Sequence, residues 1–94
     1  METFDIGDRK LIRATFRDDT DTLADPTDVD CRVLQPDGTE LTPAPTMAST
    51  STGIWEAALT FDDDGIWQIR VEGTGDVVAA VEERVRVSKS DFYP

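Results

Sequence analysis

The chain is 94 residues long, room for one domain around one core, and its 38% hydrophobic and 31% charged residues exclude a disordered tail. Twenty acidic residues against nine basic ones leave a net charge of −11, which argues against nucleic acid phosphates and anionic membrane surfaces as partners. No apolar run approaches the ~20 residues that cross a bilayer, and Met1-Glu2-Thr3-Phe4-Asp5 has neither the basic nor the apolar stretch of a secretory leader; the sequence reads as made and assembled in the cytoplasm.

Apolar residues recur two apart rather than three or four apart, the period of strands. Residues 1–6 read as an N-terminal arm. A first strand over residues 9–17 turns Ile12, Ala14 and Phe16 to one face and Arg13, Thr15 and Arg17 to the other. Lys10 takes a position that the pattern reserves for an apolar residue, which puts the start of this strand near an open end. Residues 18–27 form an Asp/Thr-rich loop ending in Asp25-Pro26. A strand over residues 28–35 faces Val29, Cys31 and Val33 inward, and Pro36-Asp37-Gly38-Thr39 turns the chain. A short strand over residues 40–42 leads into a mobile loop, residues 43–52, rich in Pro, Ala, Ser and Thr.

Gly53-Ile54-Trp55 opens the next strand, with Trp55, Ala57 and Leu59 inward, and Asp62-Asp63-Asp64-Gly65 reverses it. Residues 66–72 place Trp67, Ile69 and Val71 on one face, and Gly73-Thr74-Gly75-Asp76 is a tight turn. Residues 77–87 make a last strand or a broken pair of strands, inward at Val81, Glu83 or its neighbour, Val85 and Val87. Residues 88–94 are a tail ending Phe92-Tyr93-Pro94. Six or seven short strands with turn signals every ten or so residues predict an all-β, antiparallel sandwich of the immunoglobulin type, a single domain over residues 1–94. Its expected core is Ile12, Phe16, Val29, Cys31, Val33, Trp55, Leu59, Trp67, Ile69, Val85 and Val87. Cys31 is the lone cysteine, so the sandwich has no internal disulfide, and the residue reads as a small buried hydrophobe rather than a reactive thiol.

Inventory argues against catalysis. The chain has no His, hence no imidazole base and no Ser/His/Asp set, and it lacks the Cys/His sets of zinc sites. No Gly-rich phosphate loop opens a helix. No cofactor is expected. Calcium is the one ligand to weigh, at Asp18, Asp19, Asp21 and Asp25 in one loop and at Asp62, Asp63 and Asp64 in another. Neither run has the oxygen-ligand spacing of a calcium loop, so both read as solvated turn acids.

Several stretches together carry a resemblance: Asp5-Ile6-Gly7-Asp8, Asp25-Pro26-Thr27, Pro36-Asp37-Gly38-Thr39, Gly53-Ile54-Trp55, Gly65-Ile66-Trp67-Gln68-Ile69-Arg70, Glu72-Gly73-Thr74-Gly75, Glu82-Glu83 to Val87 and Ser90-Asp91-Phe92. In this order the chain resembles the small immunoglobulin-like structural proteins encoded among the virion genes of tailed bacterial and archaeal viruses. That resemblance implies a non-enzymatic protein of the virion, present in many copies and docked on the major capsid protein as a head decoration. Alternatively it implies a head–tail connector or tail component, one copy in a ring. Gly-x-Trp and Pro-Asp-Gly also occur in immunoglobulin-like cell-surface adhesion modules, a reading from another class. A carbohydrate-binding sandwich would need an aromatic platform, whereas both Trp fall on inward faces. The expected contact residues are the outward Leu11, Leu34 and Ile54 together with Phe92 and Tyr93 of the tail, unless those two rings fold back over the open end of the sandwich. Fourteen of the twenty acids are Asp and only two of the nine cations are Lys, a balance found in proteins of very saline surroundings and also in those from GC-rich genomes.

Overall fold

A computed structural model describes residues 1–75 and 78–89. Seven strands are present in it: β1 (Glu2–Asp5), β2 (Arg9–Thr15), β3 (Asp28–Leu34), β4 (Ala48–Ser51), β5 (Ile54–Thr60), β6 (Gly65–Thr74) and β7 (Ala79–Ser88). They form a four-stranded sheet ordered β1-β7-β6-β3 and a three-stranded sheet ordered β2-β5-β4. Every pairing is antiparallel except β1 on β7, which is parallel. The two sheets stack with their apolar sides together, the arrangement of an immunoglobulin-type sandwich without its disulfide.

The alternation read from the sequence is what the sheets bury. Ile12 and Ala14 of β2, Cys31 and Val33 of β3, Ala57 and Leu59 of β5, Trp67, Ile69 and Val71 of β6 and Val85 and Val87 of β7 all lie in the core. Phe16 joins them from just beyond the end of β2. Trp67 is fully buried, packs edge-on against Phe61 at 5.3 Å, and its Nε1 donates to the Asp63 carbonyl at 3.0 Å, so the one polar atom of the ring is satisfied. Cys31 is buried, and desolvation pushes its thiol up to about 11, so it stays protonated and inert at neutral pH.

Five expectations need correction. Residues 1–6 are not an arm, because residues 2–5 pair with Val85–Ser88 and Phe4 stacks at 5.1 Å on Phe61. The loop expected over residues 43–52 contains β4, a short edge strand with a bulge between Ser49 and Ser51, and Met47 beside it is buried. The short strand expected over residues 40–42 is only a single bridge, Leu34 to Glu40. Two members of the expected core, Val29 and Trp55, are half-buried at the rim of the cluster. Trp55 keeps its Nε1 within 3.3 Å of the Asp25 carboxylate, which holds the ring at the surface. Val81 has inward parity but is 51% exposed, because it lines an open groove at the seam between β7 and β2.

Two glycines are required by close approach. Gly53 has φ 74°, and a Cβ there would stand 2.7 Å from the Phe16 carbonyl oxygen; Gly65 has φ 125° with Pro36 in the same space. Both hold a strand start against a neighbouring loop.

Candidate interaction surface

The molecule is elongated, 49 × 21 × 20 Å, and strand register sorts its surface into two sheet faces, two loop ends and one open seam. The first end gathers the β1–β2, β3–β4 and β5–β6 loop residues Asp5, Asp8, Asp37, Asp62, Asp63 and Asp64, and the other gathers Asp18, Asp19, Asp21, Asp25 and Asp28. The outer face of the four-stranded sheet carries Asp30, Glu40, Glu72 and Glu82 against Arg32, Arg70, Arg84 and Arg86. The outer face of the smaller sheet carries Arg9 and Arg13 against Glu56. An overall charge of −11 is therefore concentrated at the ends, while the flanks are balanced.

The acids considered for calcium do not converge. Asp18 spends its carboxylate on its own loop: Oδ1 accepts from the Thr20 hydroxyl at 2.6 Å, the Thr20 amide at 2.9 Å and the Thr22 amide at 3.0 Å. The Thr20 hydroxyl, then the two amides, hold its pKa below the ordinary 3.8. Asp21 has φ 65° and its carbonyl accepts from Arg17. Asp63 accepts from the Asp64 amide, and Asp62, Asp63 and Asp64 are exposed at the opposite end of the molecule. Among the described residues no three His, Cys, Asp or Glu side chains are placed to hold a metal ion. Asp25, weighed with that loop for calcium, is instead a structural pin: Oδ1 accepts from the Gly53 amide at 2.7 Å and from Trp55.

The expected contact residues divide between opposite faces. Leu11, 58% exposed, sits between Arg9 and Arg13 on the smaller sheet, with Ile54 half-buried at the far end of the neighbouring strand. Leu34, 37% exposed, belongs to the other face, where a groove of about 420 Å³ is lined by Arg32, Leu34, Glu40, Gln68, Arg70, Glu82 and Arg84. Phe92 and Tyr93 lie outside the described residues. Ile66 was missed, though parity alone could have found it, since Trp67 beside it points inward. Val78 and Val81 were missed because their exposure depends on the tertiary arrangement around β7.

Along the seam, Lys10 of β2 crosses to the other sheet. Its Nζ is 2.8 Å from Glu2 of β1 and 3.2 Å from Glu83 of β7, and 5.6 Å from the centre of the Phe4 ring. Burial alone would lower the ammonium pKa, but the hydrogen bonds to Glu2 and Glu83 outweigh it and raise it above 10.5. The position that broke the apolar alternation is an ionic clasp between the sheets. It closes the sandwich edge.

No family model and no curated relative matches the chain. Among solved structures it is similar to the Lin-41 filamin domain, with TM-score 0.74 and 18% identity over 93% of this chain and 83% of that one. It is also similar to part of a DUF4785 family protein from Legionella pneumophila, with TM-score 0.67 and 18% identity over 96% of this chain and 26% of that longer one. At this identity the likeness is one of architecture, and the chain has an immunoglobulin- and filamin-like β-sandwich fold.

Proposed function

We propose that this domain is a non-enzymatic structural protein of a tailed virus, docked on the major capsid protein at the head surface through protein–protein contacts. The fold is of a kind used as a protein-interaction module, and its charged side chains are committed to turns, ion pairs and solvent rather than to a reactive cleft. The observation that carries the viral reading is the ordered set of motifs from Asp5-Ile6-Gly7-Asp8 to Gly65-Ile66-Trp67 along nearly the whole sequence. Acidic ends, and flanks where acids offset the arginines among the described residues, favour an outer position over a channel that DNA traverses.

Likeness to one segment of a longer protein favours a second reading, an immunoglobulin-like adhesion module within a larger architecture. Two measurements separate them. Purified particles, quantified by mass spectrometry, contain hundreds of copies if the protein decorates the head and one closed ring of copies if it belongs to the connector or tail. Absence of the protein from particles, together with its detection in a larger cell-surface chain, would sustain the adhesion reading instead.

A further inference from the structure

The sheet edge at the seam is only partly covered. β1 matches β7 from Val85 to Ser88, so among the described residues Ala79–Arg84 has a neighbouring strand on the β6 side alone. Beside this free edge runs a groove of about 170 Å³ lined by Ile12, Ala14, Val71 and Val81, with Lys10 and Glu83 toward β1. The other sheet edges are guarded. β2 carries Arg9, Lys10 and Arg13, β3 carries Asp28, Asp30 and Arg32, and β4 is short and bulged. The free stretch of β7 begins with exposed Val78 and runs through Ala79, Ala80 and Val81, and its acids are already engaged, Glu82 by Arg70 and Glu83 by Lys10.

We propose that this edge takes an extended segment of another protein as an added antiparallel strand, apolar at alternate positions and basic at its C-terminal end. Unpaired backbone donors and acceptors in a row are matched by another backbone, which selects a strand over a helix or a sugar. Side chains opposite Ala79, Val81 and Glu83 would share their inward side and enter the groove, so apolar residues suit every second position. The far end of the stretch is acidic. Gly73, the partner of Ala79, lies against Phe16 and Pro26, so the loops bearing Asp18, Asp19, Asp25 and Asp28 stand beside Val78, where an antiparallel segment ends. That field and the net charge of −11 attract lysine or arginine there and repel a second copy of this chain. The inference rests on the reading of the domain as an interaction module and names the kind of partner.

Titration calorimetry of the purified chain with a capped peptide, three Thr-Val repeats followed by two lysines, tests it. The wild type should bind one peptide, more weakly as sodium chloride rises. Val81→Lys should weaken binding by about tenfold or more, whereas Leu34→Lys, the same charge change on β3, should bind like the wild type; circular dichroism checks both folds. N-methylating alternate peptide residues should abolish binding in one phase and spare it in the other, because a strand turns successive amides to opposite edges. Exchanging the two lysines for glutamates should weaken binding by about tenfold. No binding by the wild type, equal losses in Val81→Lys and Leu34→Lys, or no difference between the methylation phases would overturn the proposal. A wild type that dimerises through this edge, and stops doing so in Val81→Lys, would overturn the choice of partner. None of these results alters the copy number on particles, which tests the viral reading separately.

Discussion

Trp67 shows how much one side chain carries in a domain of this size. It fills the centre of the core, contacts Phe61 and has its indole nitrogen satisfied. Trp67→Ala should cost roughly 3–5 kcal/mol, as other large core truncations do, and most of the fold's margin with it; thermal melting checks this, and an unchanged midpoint would remove Trp67 from the core. Cys31 predicts slow chemistry. Its raised pKa and burial mean that a thiol reagent such as Ellman's should react only when denaturant opens the sandwich. Asp18 gives a pH dependence of known sign. Its folded pKa lies below 3.8, so its contribution to loop order is complete above that value and is lost as pH falls through the lower, folded one. Amide hydrogen exchange at Thr20 and Thr22 should quicken over that acid range, and Asp18→Ala should abolish the change. Lys10 has the opposite sign: its contribution is complete below pH 10.5 and fades as pH rises past it. Only the wild type, not Lys10→Met, should lose that part of its stability in alkali.

Elements were legible in the sequence where one face of a strand is covered along its whole length. In β2, β3, β5 and β6 the alternation alone identifies Ile12, Val33, Leu59 and Ile69 as core. It fails where burial depends on what lies opposite. Val81 has the right parity but faces the open seam beside β2, and β4, whose four residues Ala48 to Ser51 are all exposed, has no apolar face to announce it. β1 is short and has a single inward ring, Phe4, so it reads as an arm. The interaction surface was half legible: Leu11 and Leu34 are outward as expected, but that they stand on opposite faces follows from strand order, which no local pattern contains. Beyond the end of β1, the Val78-Ala79-Ala80-Val81 edge lacks the charges that guard β2. Val81→Lys should leave melting within about 0.5 kcal/mol of the wild type, as surface changes do. It should also reduce light scattering on heating.

At the scale of the whole molecule, charge is organised by topology. Loops at both ends collect aspartates because turns favour Asp, and strands set arginines among glutamates on the flanks, where Arg13, Arg32 and Arg70 are ion-paired. Crowded like charges at each end oppose folding, and salt screens them. Raising sodium chloride should therefore raise the melting temperature, and replacing Asp62, Asp63 and Asp64 with Ser should flatten that response. A melting point indifferent to salt would show that the end charges are too far apart or too solvated to matter. This behaviour would serve a protein in strong brine, and it needs no bound cation.

The parallel pairing of β1 with β7 has a mechanical consequence. If Met1 and Lys89 are pulled apart, β1 is drawn backward along its own axis while β7 is drawn forward, so their four matched positions are loaded together in shear instead of opening one after another like a zip. The clasp formed by Lys10 with Glu2 and Glu83 sits beside that ladder and shares the load. A sandwich tethered in this way resists tension along its length far better than its modest core would suggest.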